Sequence, residues 1–85
     1  MTKRDIRKVQ QFAIETLAKM DAEPADPDPL ANAVRPYVRA VLFHTIEGTA
    51  ASLRGDEIEA AYHASRVVAN VDAGWLLSLD VSTVH

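Results

Sequence analysis

Two histidine–carboxylate pairs are the first residues in this chain that could do chemistry. His44 and Glu47 lie three apart, and Glu59 and His63 four apart, so each pair shares a face if its segment is helical. Together they could offer nitrogen and oxygen ligands to a metal ion. Carboxylate–histidine sites inside helical bundles draw on inward-facing residues with more carboxylates than this, and Glu59 and His63 fall on the polar side of their segment. No metal site is expected. Asp72 is the next candidate, because it sits in the middle of an apolar face. A buried carboxylate must be paired, hydrogen-bonded or protonated. The expectation is therefore a buried polar contact at a seam, with Asp72 accepting a bond from Tyr37 or pairing with Arg35 or Arg39.

The stretch TKRDIRK supplies Lys3, Arg4, Arg7 and Lys8 at the opening of a helix, where cations and the helix terminus together could grip phosphates. The chain is nevertheless net acidic, at −3, with no aromatic interleaving and no second basic cluster of similar size. A helix-turn-helix would need a polar recognition helix after a tight turn, and none is evident. Amphipathic membrane adhesion is disfavoured, since the polar face carries acids and its apolar face has no bulky aromatic at its centre. Arg39-x-x-x-x-His44 resembles the Arg-x4–6-His motif of HEPN-type ribonucleases, helical proteins that dimerise to form an RNA-cleaving site. The likeness covers six residues. Ala40 stands where that family usually has a polar residue, and the chain is shorter than the family's usual domain.

Other chemistry is excluded more directly. Four carboxylates in DAEPADPDP, residues 21–29, invite a calcium-loop reading. Such a loop needs acids at alternate positions, a turn glycine and a closing glutamate, and prolines 24, 27 and 29 break that geometry. There is no cysteine, which removes disulfides and zinc–thiolate sites. Three scattered glycines make no phosphate loop, and no Ser/His/Asp arrangement has a recognisable setting. No catalytic residue and no cofactor is expected.

The elements that carry these residues read as three amphipathic helices, over about 3–20, 29–54 and 57–79. In the first, Thr2 and Asp5 have capping-box spacing, and Ile6, Val9, Ala13, Leu17 and Met20 form one stripe. Phe12 and Ile14 flank it. The acidic, proline-rich connector cannot be helical, and Asp28-Pro29 makes an N-cap followed by a first-turn proline. In the second helix, Leu30, Val34, Tyr37, Val41, Thr45, Gly48 and Ser52 form a stripe, widened by Val38, Leu42, Thr49 and Leu53. Phe43 falls on the far side and Ile46 lies between. Pro36 predicts a kink or restart. Gly48 predicts either close approach of another backbone or an early helix end. Gly55 suits a left-handed helix end and Asp56 the next N-cap.

The third helix places Ile58, Ala61, Tyr62, Ser65, Val68, Ala69, Asp72, Leu76 and Leu79 on one face, extended by Ala64, Val71 and Trp75. That face is expected to meet the rest of the bundle, with His63, Arg66 and Asn70 outward. The tail, residues 80–85, is expected to be frayed or extended.

The fold class is thus all-α, a small antiparallel three-helix bundle made of a helical hairpin plus an N-terminal helix, in a single domain over residues 1–85. A chain this short buries only about 60–65% of its unfolded surface and gains from a partner. No apolar run reaches the ~18 residues of a membrane span, and the charged N-terminus lacks a signal peptide's apolar core. A cytoplasmic protein with no membrane partner is expected.

Elimination leaves binding. The function expected is a non-enzymatic protein-interaction module, self-associating as a homodimer or higher oligomer. It would act as a small regulator or inhibitor of the phage or plasmid accessory type by occupying a partner protein's surface. The partner-binding residues would be Arg4, Arg7 and Lys8 with the acidic Asp21, Glu23, Asp26 and Asp28. Self-association would use Phe43, Ile46, Leu53 and Trp75. The alternative is a nucleic-acid or nucleotide binder using Arg7, Arg35 and Arg39.

Overall fold

A computed structural model of the chain describes residues 1–83, with side chains described as far as residue 80. Three helices follow one another: α1 (Lys3–Ala22), α2 (Pro29–Arg54) and α3 (Glu57–Thr83). They form a small all-α bundle, as the periodicity predicts.

The helix ends follow the local chemistry. Thr2 caps α1 with both bonds of a capping box: its hydroxyl accepts from the Asp5 N–H at 3.2 Å, and the Asp5 carboxylate accepts from the Thr2 N–H at 3.4 Å. Asp28 caps α2, accepting from the Leu30 N–H at 3.0 Å, with Pro29 at the first helical position. Gly55 ends α2 at φ 80°, the left-handed region glycine enters without a Cβ penalty. The Asp56 N–H closes that turn on the Ala51 carbonyl at 2.9 Å, and the Asp56 carboxylate then accepts from the Glu59 N–H at 3.1 Å.

α2 runs over Pro29–Arg54 as expected, continuous through Pro36 and Gly48. A proline in a helix removes one backbone bond. Two expectations about the elements change. α3 runs on through Thr83 instead of stopping at Leu79. Residues 80–83 of the expected frayed tail are thus helical, and 84–85 lie outside the described residues.

The second change is the larger. α2 lies in the middle, touching both α1 and α3, while α1 and α3 do not reach each other among the described residues. α3 meets α2 not through its apolar stripe but through Ala60, His63, Val67, Asn70, Gly74 and Leu77, which are half-buried. These positions recur at three and four, so they are one face. The stripe turns outward: Ile58 is 86% exposed, Val68 60%, Trp75 64% and Leu76 62%. Asp72 goes with it and is exposed, so its expected burial against Tyr37 is overturned. Tyr37 is half-buried, not buried, and stands beside Gly74.

The reason lies in α2–α3 spacing. A Cβ built on Gly48 would stand 3.1 Å from the His63 Cβ, and one on Gly74 3.3 Å from the Tyr37 Cβ. Small residues let the two backbones approach closely here, whereas Trp75 and Leu76 on the contact face would hold them apart. The interior that results is thin. Among the described residues only Ala13 and Ala51 are fully buried.

Candidate protein-interaction surface

Because α1 and α3 flank α2 without meeting, an apolar trough made of two neighbouring hollows lines one face of α2, the wider between all three helices and the narrower between α2 and α3. Its floor is Val34, Val38, Val41, Thr45, Thr49 and Ser52, spaced by three and four. Near the N-terminal end of α3 it opens to about 730 Å³, between Ile6 and Val9 of α1 and Ala64 and Val68 of α3. Toward the other end of α3 it narrows to about 360 Å³, walled by Val71, Gly74 and Trp75. A smaller hollow of about 200 Å³, under Met20, shares Val34 and Val38 with it.

Two threonines in the trough and a serine beside it turn their hydroxyls into their own helices. Thr45 donates to the Val41 carbonyl at 2.7 Å and Thr49 to the Thr45 carbonyl at 2.7 Å. Ser65, in the exposed stripe of α3, donates to the Tyr62 carbonyl at 2.7 Å. With their O–H groups satisfied in this way, the threonines present methyl groups to the trough. Surface and groove are therefore more apolar than the residue names suggest.

The α1–α2 junction is polar by contrast. Arg35 donates to the last carbonyls of α1 and the turn after it: Met20, Glu23 at 2.9 Å and Pro24 at 3.0 Å. A guanidinium at a helix C-terminus satisfies orphan carbonyls and complements the helix dipole. Arg39 holds Asp21 in a two-point contact, Nε to Oδ1 at 2.9 Å and an NH2 nitrogen to Oδ2 at 3.1 Å. This bond with Arg39 holds the Asp21 carboxyl below its usual range and raises Arg39. Asn32 clamps the connector from α2, accepting from the Asp26 N–H at 2.8 Å and donating to the Asp26 carbonyl.

The histidines meet each other across the α2–α3 seam. His44 Nδ1 lies 2.9 Å from His63 Nδ1, and His63 Nε2 lies 3.3 Å from the Glu59 carboxylate. One proton arrangement satisfies all three: His63 donates from Nε2 to Glu59, leaving its Nδ1 bare to accept from the His44 Nδ1–H. Burial pushes the His44 pKa down, and the neighbouring His63 and Arg66 push it further, against an upward pull from Glu47. Among the described residues no group of three or more His, Cys, Asp or Glu is placed to hold a metal ion.

The structure scatters the sequence-derived candidates. Arg4, Arg7 and Lys8 are exposed on α1. Of the acidic connector, Asp21 is bound to Arg39, Asp26 accepts from the Asp28 N–H at 2.8 Å, and Asp28 caps α2. Those three carboxylates hold the chain's own turn. Phe43 and Trp75 are exposed and Ile46 and Leu53 half-buried, and of the four only Trp75 lines the trough. Arg39 and His44 do not converge, since one holds Asp21 and the other meets His63.

Sequence reasoning missed the Arg35 cap, the Asn32 clamp and the histidine pair. A signal for the first existed: an arginine nearly two turns into a helix that follows a tight connector can reach back to the preceding helix end. Comparison with protein-family models, with curated proteins and with solved structures finds no match. Among the described residues no helix is long and apolar enough to cross a membrane.

Proposed function

We propose that this protein is a non-enzymatic helical interaction module that acts as a small regulator or inhibitor by occupying the surface of another protein. One observation carries the reading: α3 turns its widest apolar face outward, beside an unfilled apolar trough. Contiguous exposed apolar surface of this extent marks interaction sites. Exposed tryptophan and tyrosine, Trp75 and Tyr62, are residue types enriched at binding hot spots.

The test places a photo-cross-linking residue at Ile58 in the native host. The expected result is an adduct with a different protein, whose yield falls when Leu76→Lys is added. No adduct with any other protein overturns the reading.

The nucleic-acid alternative loses support from the α1–α2 junction. Arg35 and Arg39 are engaged within the chain, which leaves Arg7 with Arg4 and Lys8. A salt-dependent gel shift abolished by Arg7→Ala would restore it.

A further inference from the structure

The trough and the outward stripe are two unsatisfied surfaces of one chain, and they match. The trough lacks a helix between α1 and α3; the stripe of α3 is a helix face without a partner. The chain cannot fold the second into the first, because α3 already forms one wall. A second copy can do so. We propose that the protein is a two-fold symmetric dimer in which each α3 lays its Val68–Trp75–Leu76 face into the trough of the other copy, beside that copy's α1. This rests on the reading of the α3 stripe as an interaction surface and makes the second copy its resting occupant, which a foreign protein displaces.

Area supports the proposal. The chain exposes 5997 Å². A compact monomer of 9.3 kDa exposes about 5,000 Å² on the scaling for folded monomers. The excess, roughly 1,000 Å², is close to the ~800 Å² each partner buries in a standard interface. A two-fold axis brings the same patch of both copies together, which is the commonest way a self-complementary surface closes.

Charge supports the same arrangement. Residues 1–20 carry a net +3 and residues 56–85 a net −4, yet α1 and α3 do not come together among the described residues. Lys8, Phe12 and Lys19 share one flank of α1, spaced by four and seven. It is the flank next to Val9, which lines the trough. Asp72 stands in the middle of the outward stripe of α3. A stripe seated beside the other copy's α1 brings Asp72 to Lys8 or to Lys19, which lie about 16 Å apart, and gives the lone acid of an apolar face a partner it lacks in one chain.

Light scattering on size-separated protein, from about 1 µM to 1 mM, tests the dimer. The expected species has twice the 9.3 kDa chain mass. The double variant Val68→Glu/Leu76→Lys weakens the dimer by at least about 100-fold with helical circular dichroism retained, while Phe43→Lys, on the other side of α2, leaves it intact. A single-chain mass at every concentration overturns the proposal. So does a dimer lost with Phe43→Lys but kept by the double variant.

A second measurement needs no variant. Zero-length amine–carboxyl cross-linking of mixed ¹⁴N and ¹⁵N protein is expected to join Lys8 or Lys19 of one copy to Asp72 of the other. A cross-linked dimer without those links overturns the arrangement. A strict monomer that still captures a foreign protein removes the second copy and leaves the interaction-module reading standing.

Discussion

α1 and α3 are both amphipathic helices laid against α2, and they are turned opposite ways. α1 directs its stripe inward: Ala13 is fully buried, and Ile6, Leu17 and Met20 are half-buried. α3 directs its stripe outward and offers α2 a row of small and polar residues instead. The difference follows from what each seam needs. The α1–α2 seam is held at its polar end by Arg35 and Arg39, and among the described residues no glycine draws α1 close to α2, so apolar side chains further along α1 can fill that seam. The α2–α3 seam is held by close backbone approach at Gly48 and Gly74, which side chains as large as Trp75 would prevent. Amphipathicity says which face of a helix avoids water. Which neighbour that face meets depends on the width of the seam.

The strongest way to break this comparison is to widen the α2–α3 seam. Gly48→Val places branched carbon where a Cβ alone stands 3.1 Å from the His63 Cβ and 3.9 Å from the Ala60 carbonyl oxygen. Neither neighbour is the free end of a flexible chain. Overpacking of this kind costs about 1–3 kcal/mol. Urea unfolding of the variant is expected to show that loss with an unchanged m-value. A variant as stable as the parent would mean that the glycine is not what sets the seam.

A smaller effect sharpens the contrast between the two stripes. Leu17→Ala truncates a half-buried side chain of α1 and is expected to cost about 1–2 kcal/mol. Leu76→Ala removes the same atoms from α3, where they are 62% exposed. Measured at dilution, below the concentration at which copies associate, it is expected to cost less than about 0.5 kcal/mol. As protein concentration rises, its effect on thermal stability should grow, because a partner that binds only the folded chain stabilises it by mass action. Equal losses at dilution would place the α3 stripe inside one chain and contradict the outward orientation.

Much of the fold was legible in the sequence because it is local. Thr2 with Asp5, Asp28 with Pro29, and Gly55 with Asp56 each specify a helix end within a few residues, and all three ends fall where those residues put them. Composition and period likewise pointed to three helices, and among the described residues there are three and no strand. The rotation of α3 was not legible. Its apolar stripe is genuine, but a helical wheel carries no information about a glycine on a different helix. Gly48 did read as a place of close approach. What was missing was that His63, on the supposedly polar face, would be the residue approached. Asp72 was misplaced for the same reason: its burial was inferred from the stripe, and the stripe moved. The arginines of α2 read as free for ligands because their partners are backbone carbonyls and an aspartate on another helix, which no spacing rule reveals.

The two seams also differ in how they respond to acid, and this gives the mildest test. His44 has a folded pKa below its ordinary value of about 6.5, chiefly through burial. The unfolded chain therefore binds a proton first as pH falls. The stability held by neutral His44 is complete above about pH 6.5 and declines as pH falls from there through the folded value. Burial of the ring gives the direction, helped by His63 and Arg66 beside it. Asp21 at the α1–α2 seam has its folded pKa lowered by Arg39. Its contribution is complete above about 3.9 and is lost only as pH falls through a lower value. Thermal melting between pH 8 and pH 4.5 should accordingly show a decline beginning near 6.5 that His44→Gln flattens and Asp21→Asn leaves in place. A decline that survives His44→Gln would assign the acid sensitivity elsewhere, and the α2–α3 seam would lose its distinguishing titration.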